Sequence, residues 1–181
     1  MDSNGSAPTL SAEQLKSIQG PLKEQYRADP ASALITLRAT GRAGAGVSCK
    51  VETGRAIVEA GLHPATGGDG SLACSGDMLL EALVACAGVT LRAVATAIGV
   101  DLRDAALTAE GDLDFRGTLG VAKDAPVGFQ RIRLRFELAT NASAEQVATL
   151  IRLTERYCVV YQTLRQSPAM EISTTVTPSA A

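Results

Sequence analysis

Four cysteines, Cys49, Cys74, Cys86 and Cys158, are the strong nucleophiles of this chain, and a single histidine, His63, accompanies them. No two cysteines form a CxxC pair, and scattered thiols with one histidine lack the clustered spacing of a tetrahedral zinc site. The chain is too large and too apolar to need disulfide staples, so reduced thiols are expected. Cys49 and Cys74 read as small apolar residues that fill space. Cys86 in "LVACAGVTLRAVA" and Cys158 in "ERYCVVYQTLR" each fall on the apolar side of a helical pattern. Thr90 and Arg92 lie near the first, and Arg156, Tyr157 and Tyr161 near the second. A buried thiol is inert unless something ionises it, so packing and chemistry are both open readings of these two residues. His63 sits in the glycine-rich "GLHPATGGDG", where anchoring a loop is a more economical role than donating a proton.

The elements that must position the two thiols follow from periodicity. "SGDMLLEALVACAGVTLRAVATAIG" predicts a long helix ended by Gly99, with Ser75 or Asp77 at its start; only Glu81 and Arg92 interrupt its apolar character, so burial on most sides is expected. "SAEQVATLIRLTERYC" opens with a Ser143/Gln146 capping box, and Cys158 extends its apolar stripe. "VVYQTLRQS" can add a further helical turn before Pro168. Alternation predicts a hairpin from "ALITLRAT" and "VSCKVE" around "GRAGAG", then a third strand in "RAIVEAG". Long strands are expected in "ALTAEGDLDFRG" and "QRIRLRFELAT", and a final one in "AMEISTTVT". Arg131, Arg133 and Arg135 make a basic comb that reads as a solvated sheet face. The order is βββ, helix, ββ, helix pair, β, an α+β arrangement. Residues 1–30 read as a mobile arm and two short helices broken at Gly20 and Pro21, packing on the main domain or on a partner; residues 31–181 form that domain.

Composition narrows the function classes. With 181 residues one main domain is expected, and 17 Lys plus Arg against 19 Asp plus Glu give no basic field for nucleic acid. Three Phe, three Tyr and no Trp leave a core of aliphatic side chains and no stacking platform. Charges or prolines interrupt each apolar run, so no membrane span is expected, and "MDSNGSAPTLSAEQLKS" has no signal-peptide block. A cytoplasmic protein is the expectation.

"LLEALVACAGVTLR", followed 72 positions later (158 − 86) by "ERYCVVYQTLR", resembles the cysteine blocks of the osmotically inducible protein C and organic hydroperoxide resistance (OsmC/Ohr) family. The resemblance covers about residues 31–177 and makes this a long form with an N-terminal extension. It implies curved antiparallel sheets around a buried central helix, an intertwined homodimer, and a thiol peroxidase acting on organic hydroperoxides with no bound cofactor. Cys86 matches the peroxidatic thiol and Cys158 the resolving thiol; an external dithiol, a lipoyl protein or similar, reduces the resulting disulfide. The family ionises its thiol with an arginine from the first strands, held by a glutamate. Arg42 is the match for that arginine, with Arg38 as the fallback. In the peroxidase branch the glutamate stands ten positions before the cysteine, right after a proline, and Ser75 and Gly76 occupy those places here. Asp77, nine positions before Cys86, is the nearest carboxylate, as in another branch of the family. Val159 and Val160 stand where a proline often follows the second cysteine. The rival expectation on the same fold is a redox-sensing or apolar-ligand-binding dimer without turnover.

Overall fold

The computed structural model describes residues 11–29, 40–43, 48–52, 57–120 and 122–177. Its elements in chain order are α1 (Ala12–Ala28), β1 (Thr40–Ala43), β2 (Ser48–Glu52), β3 (Ile57–Gly61), β4 (Ala73–Cys74), α2 (Ser75–Ile98), β5 (Leu102–Asp112), α3 (Phe115–Thr118), β6 (Arg131–Thr140), α4 (Ala144–Tyr157) and α5 (Val159–Arg165). Strands β1 to β4 form one sheet in sequence order, antiparallel except for the two-residue β3–β4 pairing, and β5 and β6 form a second, antiparallel ribbon. The expected first strand differs: residues 33–39 lie outside the described residues, whereas Gly41, Arg42 and Ala43, read as hairpin loop, pair with Val51, Lys50 and Cys49.

The ribbon supplies one wall of the core. Ile132, Leu134, Phe136 and Leu138 alternate inward on β6, matched by Ala105, Leu107 and Ala109 on β5. Leu102 also points inward although it lies an odd three positions before Ala105, because a bulge between Leu102 and Asp104 inserts one residue and corrects the face. The strand was expected to run on through Leu113 and Phe115. It stops at Asp112 because the Asp114 carboxylate accepts the Arg116 N–H at 3.1 Å and caps α3 instead. Gly111 lets the Phe129 ring lie over the strand: a Cβ there would come within 2.4 Å of the ring and force it to move.

Helix α2 is the spine. Leu83, Ala87, Leu91, Val94 and Ala95 form its buried stripe, closed by Val100, Leu102 and Leu150. By length and composition this 24-residue helix, of hydropathy 1.8, is apolar enough to cross a bilayer, contrary to the expectation that charges interrupt every such run. Its packing against α4, α5 and β5 makes it the core helix of a globular protein. Burial on most sides does not hold among the described residues, since beyond the stripe that α4, α5 and β5 cover only α1 approaches the other side of α2, and Val89 there is 73% exposed. Cys74, rather than Ser75 or Asp77, occupies the N-cap, with Asp77 in the first turn, where its charge favours the helix start. Gly99 ends the helix at φ 73°.

Two further expectations are corrected. The N-terminal segment is one helix, not two: a Ser11/Gln14 capping box starts α1, and Pro21 within it removes only a single backbone donor. "AMEISTTVT" forms no strand; Met170, Ile172 and Val176 are 87%, 93% and 84% exposed. An alternating segment becomes a strand only beside an edge, and among the described residues none runs alongside it.

Leu91 is fully buried at the centre of the core. Leu91→Ala is expected to cost about 2–5 kcal/mol through lost burial and the cavity left behind, and Ser143→Ala about 1 kcal/mol through the lost cap. Urea denaturation followed by circular dichroism measures both; a Leu91→Ala protein as stable as the parent would place the core elsewhere.

Candidate active site

Cys86 lies halfway along α2, half-buried at the border of the buried stripe. Cys158 is 1% exposed. It does not extend the stripe of α4, as the periodicity suggested, but forms the corner between α4 and α5, with extended backbone (φ −74°, ψ 106°). Its N–H donates to the Thr154 carbonyl at 2.9 Å and closes α4, while its carbonyl accepts the Gln162 N–H at 3.0 Å and opens α5. The Gln162 side chain donates across the corner to the Glu155 carbonyl at 2.7 Å, satisfying an acceptor that the break in the helix would strand.

The corner sets Cys158 against Cys86, near enough for each side chain to act on the ionisation of the other. It also aims the first N–H groups of α5, which have no partner within the helix, at the thiols. Burial pushes the Cys86 thiol up. The Val160 N–H, the Cys158 S–H, the Val159 N–H and the Thr90 hydroxyl together outweigh burial and hold Cys86 below the ordinary thiol range. Burial likewise raises Cys158, and the Cys86 side chain and its charge raise it further; N–H groups of Tyr161 and Val160 oppose without prevailing. The two thiols are thus pulled apart, the more exposed towards thiolate and the buried one towards thiol. The Thr90 hydroxyl donates its one proton to the Cys86 carbonyl, 2.8 Å away, and reaches the sulfur as a donor only when it turns from that carbonyl.

The sequence sought the ionising partner among cations. Arg92 is engaged elsewhere, donating to the Leu102 carbonyl and tying α2 to β5. Arg156 lies over the Tyr157 ring, 5.6 Å from its centroid. The backbone of Arg42 pairs with Lys50 in β1, but its side chain, like all of Arg38, lies outside the described residues. Asp77 is exposed in the first turn of α2 and lines a different cavity, of about 370 Å³, with His63, Cys74 and Phe115. Thr90 was noted in the sequence only as a neighbour of Cys86. The donors it did not disclose are backbone groups: Val159, where a proline would have no N–H, keeps one and directs it at the sulfur.

The remaining candidates settle as structure. His63 accepts the Ala65 N–H through Nδ1 at 3.0 Å and stacks on Phe115, so it anchors its loop. In the arginine comb, Arg133 bridges Glu110 and Asp112, with Nη2 2.7 Å from the latter, and Arg135 pairs with Glu137 at 2.9 Å, as befits a solvated face. A cavity of about 320 Å³ opens between α2, β6 and α5 along Leu83, Ile132, Leu134, Tyr161 and Leu164, with Arg131 and Arg165 also lining it.

The family model of the OsmC-like proteins matches residues 68–173, which include both thiols and every element that positions them. The chain belongs to the OsmC-like family. Among solved structures, the OsmC-like protein of Mycoplasma pneumoniae superposes with a TM-score of 0.62 at 16% identity, over 74% of this chain and 89% of that one. An organic hydroperoxide resistance protein of Elizabethkingia anophelis gives 0.60 at 17% identity, over 74% and 91%. The organic hydroperoxide resistance protein OsmC of Legionella pneumophila gives 0.58 at 19%, again over 74% and 91%. At these identities the likeness establishes the α+β OsmC-like fold. A comparison with curated protein sequences finds no match.

Alkylation by iodoacetamide as a function of pH reads the ionisation directly. Cys86 is expected to titrate below the ordinary thiol range and Cys158 above it. Thr90→Val and Val159→Pro each remove one donor from the Cys86 thiolate, so each moves the Cys86 curve to higher pH. Proline at 159 fits the first position of α5, and the extended Cys158 before it suits a proline, so the shift reports the N–H and not a damaged helix. A Cys86 curve unmoved in both variants would remove these donors from the account.

Proposed function

We propose that this protein is a thiol peroxidase that reduces organic hydroperoxides to alcohols. One arrangement carries the reading: two free thiols at the α2 and α4–α5 corner positions, one half-buried and one buried, with surroundings that favour ionising the first and not the second. Packing alone has no use for that asymmetry, whereas a peroxidatic and a resolving thiol need it.

The Cys86 thiolate attacks the distal oxygen of the hydroperoxide. The O–O bond breaks, Cys86 becomes a sulfenic acid, and the departing alkoxide takes a proton to leave as the alcohol. Before attack, the negative charge on Cys86 helps keep Cys158 protonated. Once Cys86 is a neutral sulfenic acid that repulsion is gone, and Cys158 ionises more readily at the moment it is needed. Its sulfur then attacks the Cys86 sulfur, hydroxide leaves and is protonated to water, and a disulfide remains. An external dithiol, of the lipoyl type, restores both thiols by exchange. The apolar walls around the thiols favour a substrate with an alkyl body.

The working unit in this proposal is a cytoplasmic homodimer with no bound cofactor and no nucleic-acid or membrane partner. The open face of α2 around Val89 and the unpaired alternation of Met170, Ile172 and Val176 support a second copy as their cover. Arg42 enters the proposal as the cation that the family resemblance supplies, and Asp77 as the carboxylate nearest to the family's glutamate position.

Peroxide-treated protein is expected to lose the mass of two hydrogens and to yield a Cys86–Cys158 linked peptide. Cumene hydroperoxide consumption with a dithiol is expected to fall to background in Cys86→Ser, and Cys158→Ser is expected to stop at a sulfenic acid that dimedone traps. Undiminished turnover by Cys86→Ser would end the proposal. Disulfide formation without dithiol-dependent turnover would favour the redox-sensing reading.

A further inference from the structure

In an unbroken helix the N–H groups of Val159, Val160 and Tyr161 would donate to the carbonyls of Glu155, Arg156 and Tyr157, four residues back. The corner at Cys158 prevents this. The α4 ladder ends with the Cys158 N–H on the Thr154 carbonyl, at 2.9 Å, and that of α5 starts with the Gln162 N–H on the Cys158 carbonyl, at 3.0 Å. Three N–H groups are thereby freed on the side of the thiols, and three carbonyls lose their helical donors. The residue types do not dictate the break, since neither proline nor glycine stands between Glu155 and Gln166 and Cys158 continues the apolar spacing of α4. Among the described residues, the side chain that spans the corner is that of Gln162. It donates to the Glu155 carbonyl at 2.7 Å, seven residues back, from a partly buried position. That carbonyl is the one the Val159 N–H would take if the helix ran on.

We propose that Gln162 is a positioning residue for the resolving step: by occupying the Glu155 carbonyl it keeps Val159 from continuing α4, and so holds Cys158 at the corner against Cys86. The inference rests on the peroxidase reading and adds to it a residue that sets how quickly the second thiol captures the first once it is oxidised. The corner and a straight helix differ in which donor the Glu155 carbonyl accepts. Without the Gln162 donor that carbonyl goes to Val159, the Cys158 backbone turns from extended (φ −74°, ψ 106°) to helical, and its sulfur swings away from Cys86. The Cys86 sulfenic acid then waits longer for its partner. In that interval a second hydroperoxide can oxidise it to a sulfinic acid, releasing a second alcohol. A proline at position 159 would hold the same corner by another route, because it has no N–H to give to Glu155 and keeps the residue before it extended. Either device makes the other dispensable.

The fate of the Cys86 sulfenic acid tests this. Protein is treated with cumene hydroperoxide in the presence of dimedone, and mass spectrometry gives the ratio of dimedone-labelled Cys86 to the Cys86–Cys158 disulfide. Both products form after the first step, so the ionisation of Cys86 does not enter the ratio. Gln162→Leu, and Gln162→Glu, which is of similar size and does not donate when ionised, are each expected to raise the ratio about five- to tenfold, the worth of one hydrogen bond. Ser143→Ala, which weakens α4 at its far end, is expected to leave it unchanged. Added to Val159→Pro, Gln162→Leu is expected to change nothing further. An unchanged ratio in both Gln162 variants, an equal rise in Ser143→Ala, or an undiminished effect of Gln162→Leu when Val159→Pro is present overturns the proposal. A parent protein that consumes no hydroperoxide ends the peroxidase reading on its own. The corner is then read with diamide: the Cys86 thiolate adds to its N=N bond, and either Cys158 or added glutathione displaces the hydrazine. The ratio of glutathione adduct to internal disulfide is expected to move in the same variants and by the same factors, and a ratio that stays fixed in both Gln162 variants sinks the role of Gln162.

Discussion

A sulfur that must carry negative charge inside an apolar interface is unstable unless donors face it, because burial penalises the charged form and no water compensates. Much of this fold can be understood as a way of meeting that constraint at Cys86. A straight α2 fixes the sulfur half-buried beside the core stripe, and the corner at Cys158 turns the free N–H groups of α5 towards it. The Gln162 to Glu155 hydrogen bond holds the corner, and the capping box at Ser143 fixes where α4 begins and hence where it ends. Arg92 ties α2 to β5, so the helix that carries the thiol is anchored to the ribbon that forms the core wall. Removing the corner would leave Cys86 a packing residue.

What the sequence discloses, and what it does not, divides along physical lines. Side-chain periodicity is local, and it located α2, α4, the α5 turn and the facing strands, with both thiols on them. The capping box at Ser143 was equally legible because it needs only two residue types three apart. The corner was not, since Cys158 continues the apolar spacing of α4 and nothing in "RYCVVYQ" breaks a helix outright; the change lies in one residue's backbone angles. The N–H donors were hidden for a related reason: every residue but proline has one, so only the geometry says which of them matter. Seen as a missing proline, Val159 looked like a departure from the family; seen in three dimensions, it is a retained donor. The unpaired C-terminal alternation and the open α2 face show the converse. Their patterns predicted a final strand and a helix buried on most sides, and among the described residues neither finds the neighbour that would complete it.

The donors also bear on the family comparison. An arginine and a glutamate ionise a thiol by long-range charge, whereas amide and hydroxyl donors act at contact distance. The second arrangement tolerates loss of the glutamate position occupied here by Gly76, because it draws on the main chain, which substitution alters only through proline. It also couples ionisation to the position of α5: if that helix shifts, the donors move with it.

Cys158 illustrates a division of labour between main chain and side chain. Its amide hydrogen ends one helix and its carbonyl oxygen begins the next, so its structural duties are discharged without the sulfur. The thiol can therefore change its bonding partner and oxidation level while the backbone around it keeps every hydrogen bond it had. In the proposed reaction, a residue built this way takes its turn in oxidation and reduction without the hinge between α4 and α5 having to open, which separates the durability of the scaffold from the wear on its chemistry.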